Sequence, residues 1–135
     1  MRFSLELDHL AVVARTLEEG CSYVEAVLGA ELSAGGQHDD MGTHNRLLSL
    51  GPDTYLEVIA IDPSAQKPKH RRWFNLDAFD AAPRMTNWIC RTDDLDAALL
   101  DAPAGSGRPM RLTRGDMAWQ MAVPEFGKLP FDDAS

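Results

Sequence analysis

Cysteine is scarce in this sequence, and it is placed without pattern. The only two cysteines among 135 residues, Cys21 and Cys90, lack the CxxC or Cys/His spacing of a metal or redox motif. Both lie in apolar segments, which favours buried reduced thiols over the alternative of a disulfide between them. A chain of this length is therefore expected to fold around an ordinary hydrophobic core, as one domain over residues 1–135.

The sequence also has few positive charges and no long hydrophobic run. Lys and Arg number 13 against 21 Asp and Glu, which gives a net charge of -8. Nucleic-acid binding draws most of its affinity from cations that neutralise phosphates, so this acidic balance argues against it. No apolar run approaches the ~20 residues of a membrane-spanning helix. We therefore predict a cytoplasmic protein that binds a small organic ligand, with no nucleic acid and no membrane as partner.

The sequence does contain an internal repeat: the second half begins with the same pattern as the first. Residues 7–13 read as a strand that leads into a helix capped at Thr16, and residues 86–90 lead in the same way into Asp94. His9 and Asn87 stand at matching places in the two copies. Two units that each supply an inward-facing polar residue are expected to enclose one pocket between them.

The patterns of the first copy predict strand, helix, strand, strand, strand over residues 1–61. The helix is bounded by Thr16 and Gly29, and the next strand is expected at 30–34. Residues 35–42, which include His38, read as a solvated polar loop. A hairpin pair then follows at 43–50 and 55–61.

Residues 62–84 read as a proline-containing linker, and residues 85–135 repeat strand, helix, strand, strand. The last strand that a second copy should have is not predicted, because the tail after Val123 is polar; either this chain is cut short or another molecule completes its sheet. A sheet that lacks its closing strand exposes an edge, and exposed edges pair with other chains. We therefore predict a homodimer through strands of this second unit.

Glu57 is the most informative single residue, because it interrupts the apolar run 55–61. A buried ionised carboxylate costs several kcal/mol unless a cation or good donors meet it. We interpret Glu57 as a catalytic pocket residue; the alternative is a structural bond to a neighbour such as His9. An imidazole beside a carboxylate holds a divalent metal or acts as a proton-transfer pair. We favour a metal-free polar pocket over a metal site formed by His9 and Glu57.

Four further residues are candidates for substrate binding. Two follow a glycine-bearing loop, one takes the place of His9 in the second copy, and one is an aromatic residue on the last strand: His44, Asn45, Asn87 and Trp119. The alternative for His44 and Asn45 is that they cap and stabilise the loop. The alternative for Trp119 is that it belongs to the core.

Several segments together resemble a known family. They are 7–10 (Leu-Asp-His-Leu), 42–45 (Gly-Thr-His-Asn), 55–60 (Tyr-Leu-Glu-Val-Ile-Ala) and 88–95 (Trp-Ile-Cys-Arg-Thr-Asp-Asp-Leu). They are similar to the glyoxalase-like domain branch of the vicinal oxygen chelate superfamily, which includes glyoxalase I, extradiol dioxygenases and the bleomycin and fosfomycin resistance proteins. The resemblance implies an α+β fold of paired βαβββ half-barrels, here with the second unit lacking its last strand.

The resemblance also implies a metal between the units, held by the first and last strands of each. His9 and Glu57 match two of these positions, Asn87 takes the third, and the strand of the fourth is missing. We therefore expect a divalent metal (Zn, Ni, Fe or Mn) at low occupancy or not at all. The implied function is a metal-dependent lyase or isomerase acting on a small oxygenated metabolite, with a drug- or metabolite-sequestering protein of the resistance type as the alternative.

Overall fold

The computed structural model describes residues 3–114 and 116–124, and within them the chain is a mixed α+β fold, as predicted. The strands are β1 (Leu5–Val13), β2 (Ser33–His38), β3 (Thr43–Ser49), β4 (Tyr55–Ile61), β5 (Arg84–Thr92), β6 (Arg108–Arg114) and β7 (Met117–Val123). The helices are α1 (Leu17–Leu28) and α2 (Leu95–Asp101), and a 3-10 segment at Trp73–Ala78 is named the linker turn. The division of the chain into a first unit (1–61), a linker (62–84) and a second unit (85–135) stays a prediction.

Helix α1 begins and ends where its sequence signals place it. The Thr16 hydroxyl accepts a hydrogen bond from the Glu19 backbone N–H at 3.1 Å, which satisfies one of the free donors of the first turn. Gly29 ends the helix in the left-handed region, at φ 63°, where a side chain would be strained. Val24 is buried against the sheet, and burying such a side chain stabilises the fold by about 1.5–3 kcal/mol.

Five strands form one sheet in the order β2-β3-β4-β1-β5, and β6 and β7 form a separate hairpin. β1 runs parallel to β4 and antiparallel to β5, so the first strands of the two predicted copies are neighbours. In their register His9 pairs with Ile89 and Ala11 pairs with Asn87. His9 and Asn87 therefore occupy equivalent positions in the register of the two antiparallel strands.

The two faces of the large sheet pack against different elements. On one face α1 closes a cluster that contains Val12, Cys21, Val24, Leu32, Leu56 and Val58. On the other face the linker turn and the β6–β7 hairpin cover Ala11, Val13 and Ile59 through Trp73, Phe74 and Leu112. We name this second face the inner face, because the linker turn and the β6–β7 hairpin cover it.

The prediction for residues 30–42 is wrong. The strand begins at Ser33 and includes the glycines, and His38 is buried at 6% exposure instead of lying in a solvated loop. Pairing of β2 with β3 shifts between Ala34 and Gln37, which is a β-bulge. A Cβ at Gly35 would collide with the Asn45 carbonyl oxygen, so the glycine is required by the close approach of β3.

The remaining expectations concern the second unit, the cysteines and membranes. Both cysteines are free thiols; Cys21 is buried, but Cys90 is partly exposed, so its predicted burial is wrong. Strands β6 and β7 form as predicted, and the expected absence of a final strand falls on residues 125–135, outside the described residues. Over residues 3–114 and 116–124, no helix has the length and apolar character needed to cross a membrane.

Candidate functional site

His9 lies between two carboxylates on the inner face of the sheet. Its Nε2 is 3.2 Å from Glu57 Oε1, and its Nδ1 is 2.6 Å from Asp8 Oδ2. Glu57 and His9 are 5% and 8% exposed, while the Asp8 side chain retains 28% of its exposure. The structure therefore brings together the two residues that the sequence singled out, and it connects the buried Glu57 to the surface through one imidazole.

A bulge in β1 explains how Asp8 reaches the ring of the residue that follows it. Consecutive side chains of a regular strand point to opposite faces. The pairing of β1 with β5 moves from Leu7–Cys90 to His9–Ile89, so Asp8 is an extra residue on β1. A bulge re-aims the side chain of its extra residue. The Asp8 carboxylate can then accept a hydrogen bond from His9 Nδ1, which fixes the plane of the ring.

Asn45 holds the other oxygen of Glu57. Its amide Nδ2 donates to Glu57 Oε2 at 2.6 Å, and its Oδ1 accepts from the Gly36 backbone N–H at 2.8 Å. The Gly36 bond comes from the bulge in β2, and it orients the amide so that its N–H₂ group faces the carboxylate. Both oxygens of a buried carboxylate are thus met by donors, as burial of a charge requires.

His38 joins this group although the sequence argument set it aside. Its Nε2 lies 3.9 Å from Glu57 Oε2, its Nδ1 lies 3.1 Å from the Thr43 hydroxyl, and the Trp73 ring meets it edge-on. The signal that could have found it is its place at the end of β2, where it pairs with the inward-facing Thr43 of β3. Asp8, His9, His38, Asn45 and Glu57 together are named the polar cluster.

The charges of the polar cluster favour an ion pair between His9 and Glu57. Burial by itself lowers the pKa of His9, but the hydrogen bonds and negative charges of Glu57 and Asp8 outweigh it and raise that pKa above its ordinary value. Burial by itself raises the pKa of Glu57, but His9, the Asn45 amide and His38 outweigh it and lower that pKa. Both shifts favour the charged forms, an imidazolium beside a carboxylate.

An aromatic stack and a hydrogen bond hold the His9 ring in place. The Tyr55 ring stacks on the His9 ring, with centroids 4.5 Å apart and planes within 8°. Tyr55 pairs with His9 across β4 and β1, so the stack follows from the strand register. Because the stack and the Asp8 bond both act on His9, the imidazole is held in one orientation toward Glu57.

Asn87 lies on the same inner face, on the other side of β1. Ala11 pairs with Glu57 on β4 and with Asn87 on β5, so the small Ala11 side chain separates the carboxylate from the amide. Two strand spacings place their Cα atoms about 10 Å apart. β5 also has a bulge here, at Thr86, whose hydroxyl donates to Asn87 Oδ1 at 2.5 Å. Thr86 thus orients Asn87 as Asp8 orients His9.

The other two substrate-binding candidates are placed differently. His44 alternates with Asn45 along β3, which puts it on the face that carries Leu48 and packs against α1. It is not brought together with the polar cluster. Trp119 of β7 packs against the apolar residues of the inner face, beside Leu112 of β6. The binding roles of all four candidates stay predictions.

The donors present do not by themselves make a metal centre. His9 and Glu57 supply one nitrogen and one carboxylate, and the Asp8 bond to Nδ1 is the kind of support that metal-bound histidines have. However, no group of three or more His, Cys, Asp or Glu side chains in residues 3–114 and 116–124 is arranged to hold an ion. Stable protein sites for zinc use at least three protein ligands. No chemical step is therefore derived through a metal.

Comparisons with known proteins agree with this fold. A family model described as "Glyoxalase-like domain" matches residues 7–134, nearly the whole chain. Among solved structures, the chain is similar to methylmalonyl-CoA epimerase from Mycobacterium tuberculosis, with 21% identity over 87% of each chain and a TM-score of 0.50. At 21% identity this similarity supports the fold alone. No curated protein matches the sequence.

Proposed function

The chain belongs to the glyoxalase-like domain family, and we propose that it binds a small oxygenated organic molecule beside Glu57 and catalyses its isomerisation or a lyase reaction by proton transfer. The observation that supports this most is the buried Glu57 carboxylate, held ionised by His9 on the inner face. A carboxylate that is buried, charged and next to an imidazolium is a base and an acid in one place.

The reaction follows from the placement of these two groups. Glu57 accepts a proton from a carbon next to a substrate carbonyl; the electron pair of that C–H bond forms a C=C bond, and the π pair of the carbonyl moves onto its oxygen. The His9 imidazolium donates a hydrogen bond to the oxygen as its charge develops. In an α-hydroxy carbonyl substrate, the hydroxyl proton then passes to the former carbonyl oxygen. Return of the proton from Glu57 to the former carbonyl carbon gives the isomer, with the carbonyl on the neighbouring carbon, and restores the Glu57 carboxylate. In a lyase reaction, the electron pair instead expels a group from the adjacent carbon.

The low pKa of Glu57 does not prevent it from acting as a base. His9 lowers the pKa while it bonds directly to the carboxylate. A substrate that inserts between the two side chains removes that bond and excludes water, and both changes raise the pKa of a buried carboxylate. The basicity of Glu57 therefore rises when the substrate is bound, which is when a base is needed.

Solvent deuterium exchange tests the proposed chemistry without knowledge of the natural substrate. Hydroxyacetone, dihydroxyacetone and pyruvate are incubated with the protein in D₂O, and loss of their carbon-bound protons is followed by proton NMR. We expect exchange above the uncatalysed rate for at least one compound, and a loss of about 100-fold or more in Glu57→Gln. Equal rates in the two proteins, or no catalysed exchange at all, would contradict catalysis by Glu57.

A second candidate is a protein that sequesters a drug or metabolite without converting it. The favourable observation is that both oxygens of Glu57 already have donors, as in a polar cluster with a purely binding or structural role. Such a protein binds its ligand stoichiometrically, and its binding is insensitive to chelators. The proposed isomerase or lyase instead exchanges carbon-bound protons of its ligand with solvent, and Glu57→Gln slows that exchange.

The proposal includes the setting in which the protein acts. A cytoplasmic location and a homodimer remain part of it, because the chain is acidic and because apolar side chains of the second unit are exposed. Trp88 and Met85 of β5 are 49% and 58% exposed.

A further inference from the structure

A cavity of about 240 Å³ opens between the linker turn and the beginning of β5, apart from the polar cluster. Phe74, Phe79, Arg84 and Thr86 are among its lining residues, and neither Glu57 nor His9 is. Its volume is below the roughly 300–1,000 Å³ of pockets for drug-sized ligands, which indicates a smaller occupant. We name it the Arg84 pocket.

The backbone on one wall of the Arg84 pocket is strained. Phe74 and the adjacent Asn75 have φ angles of 56° and 51°, in the left-handed region that side chains other than glycine rarely adopt. Over residues 3–114 and 116–124 they are the only non-glycine residues with positive φ. Such strain costs on the order of 1 kcal/mol per residue or more, and in proteins it clusters at binding sites. The buried Phe74 side chain holds this conformation in place.

Two charged residues, Arg84 and Asp80, line the Arg84 pocket. The Arg84 guanidinium carbon lies 5.8 Å from the centroid of the Phe79 ring, and in the described residues it forms no ion pair with an acidic side chain. The other charged group of the lining, Asp80, has Arg15 at 3.8 Å. Asp80 is exposed and Arg15 also pairs with Glu19 at 3.1 Å, so Asp80 stays a negative group at the rim of the pocket. The exposed Arg84 is the only cation of the lining, and it lies beside two phenyl rings and the Thr86 hydroxyl.

We infer that the Arg84 pocket binds a small carboxylate that carries a flat apolar group, such as an aromatic acid. The planar fork of a guanidinium matches the two oxygens of a carboxylate, and it discriminates against neutral groups of the same shape. Phenyl rings supply apolar walls, and the volume accommodates a single ring. The Thr86 hydroxyl also donates a hydrogen bond to Asn87. A ligand in the Arg84 pocket would therefore contact the residue that orients Asn87 on the inner face.

Titration with benzoate tests this inference. Amide shifts of the ¹⁵N-labelled protein are followed at constant ionic strength, with benzamide as the neutral compound of the same shape. We expect benzoate to bind with a dissociation constant on the order of 1 mM, and to shift the amides of Asn75 and Thr86 most. Benzamide is expected to bind about tenfold more weakly or worse. Equal affinities, or shifts centred elsewhere, would overturn the inference.

Variants separate the guanidinium fork from its charge. Arg84→Gln is expected to weaken benzoate binding about tenfold to hundredfold, and Arg84→Lys is expected to fall between it and the unchanged protein. Arg108→Gln removes an exposed arginine of β6 that does not line the pocket, and binding is expected to stay unchanged. Arg84→Gln that binds benzoate as well as Arg108→Gln does would refute the role of Arg84. Because the readout is binding and not deuterium exchange at Glu57, this inference and the proposed function fail separately.

Discussion

Asp8 accepts a hydrogen bond from the ring of His9 at 2.6 Å, although the two residues are neighbours in sequence on one strand. The bulge at Asp8 makes this contact possible, and the opposing bulge at Thr86 does the same for Asn87. In both β1 and β5, a bulged residue therefore orients the inward polar side chain that follows it, His9 in β1 and Asn87 in β5.

Removal of the Asp8 charge tests its role beside His9. In Asp8→Asn the shape is kept, but one of the two carboxylates that stabilise the imidazolium is lost. Because Asp8 is partly exposed, we expect the free energy of unfolding to fall by only about 1 kcal/mol at pH 6, measured by urea denaturation. Glu6→Gln is the matched control, since Glu6 is more exposed and also contacts Arg91. An equal effect of both changes would show that Asp8 acts only through Arg91.

The pH dependence of stability follows from the ion pair. The pKa of His9 is raised above its ordinary 6.5, so its contribution is fully present below pH 6.5 and is lost as pH rises through the raised value. The pKa of Glu57 is lowered below its ordinary 4.5, so its contribution is present above pH 4.5 and is lost as pH falls through the lowered value. The pair therefore contributes most between pH 4.5 and 6.5.

Urea denaturation at several pH values measures this profile. The decline above pH 6.5 should disappear in the double variant His9→Gln/Glu57→Gln, which removes both charges and leaves neither one buried alone. A decline of the same size in the double variant would assign it to other groups.

The sequence was sufficient for features that depend on neighbouring residues. The cap at Thr16, the end of α1 at Gly29 and the pairing of β3 with β4 all follow from local signals, and the structure has them. The position of Glu57 on the inner face follows from alternation along β4. The homologous places of His9 and Asn87 are visible because the two copies repeat the same local pattern.

The features that were not predictable depend on contacts between distant segments. The bulge at Asp8 exists only because β1 pairs with β5, some 80 residues away in the chain. Gly35 and Gly36 read as a loop, since glycine is typical of loops; only the approach of Asn45 shows that they belong to a strand. The misplacement of that strand is why His38 was missed.

Metal content is predicted from the donor set. Asn87 stands where a stronger ligand is expected, and an amide oxygen binds transition metals less tightly than imidazole or carboxylate does. We therefore expect purified protein to carry well under one equivalent of Zn, Ni, Fe or Mn. Elemental analysis that gives about one equivalent per chain would contradict this, and Asn87→His is expected to raise the metal content.

Trp88 tests the predicted dimer. Its side chain is 49% exposed on β5, and covering such apolar surface stabilises an interface by about 25 cal/mol per Å². We expect a dimer by light scattering at tens of micromolar protein, and a monomer for Trp88→Glu. Val27→Glu, at an exposed position of α1, is the control and should leave the dimer intact. A monomer in the unchanged protein would refute the dimer.

The ion pair of His9 and Glu57 is the basis of both the site and the proposed chemistry, and its most direct measurement is the titration of the His9 ring. In ¹⁵N-labelled protein the two ring nitrogens report protonation by NMR, and the account predicts a His9 pKa above 6.5 that falls in Glu57→Gln. A His9 ring that titrates at or below 6.5, or that titrates identically in the two proteins, would contradict the account.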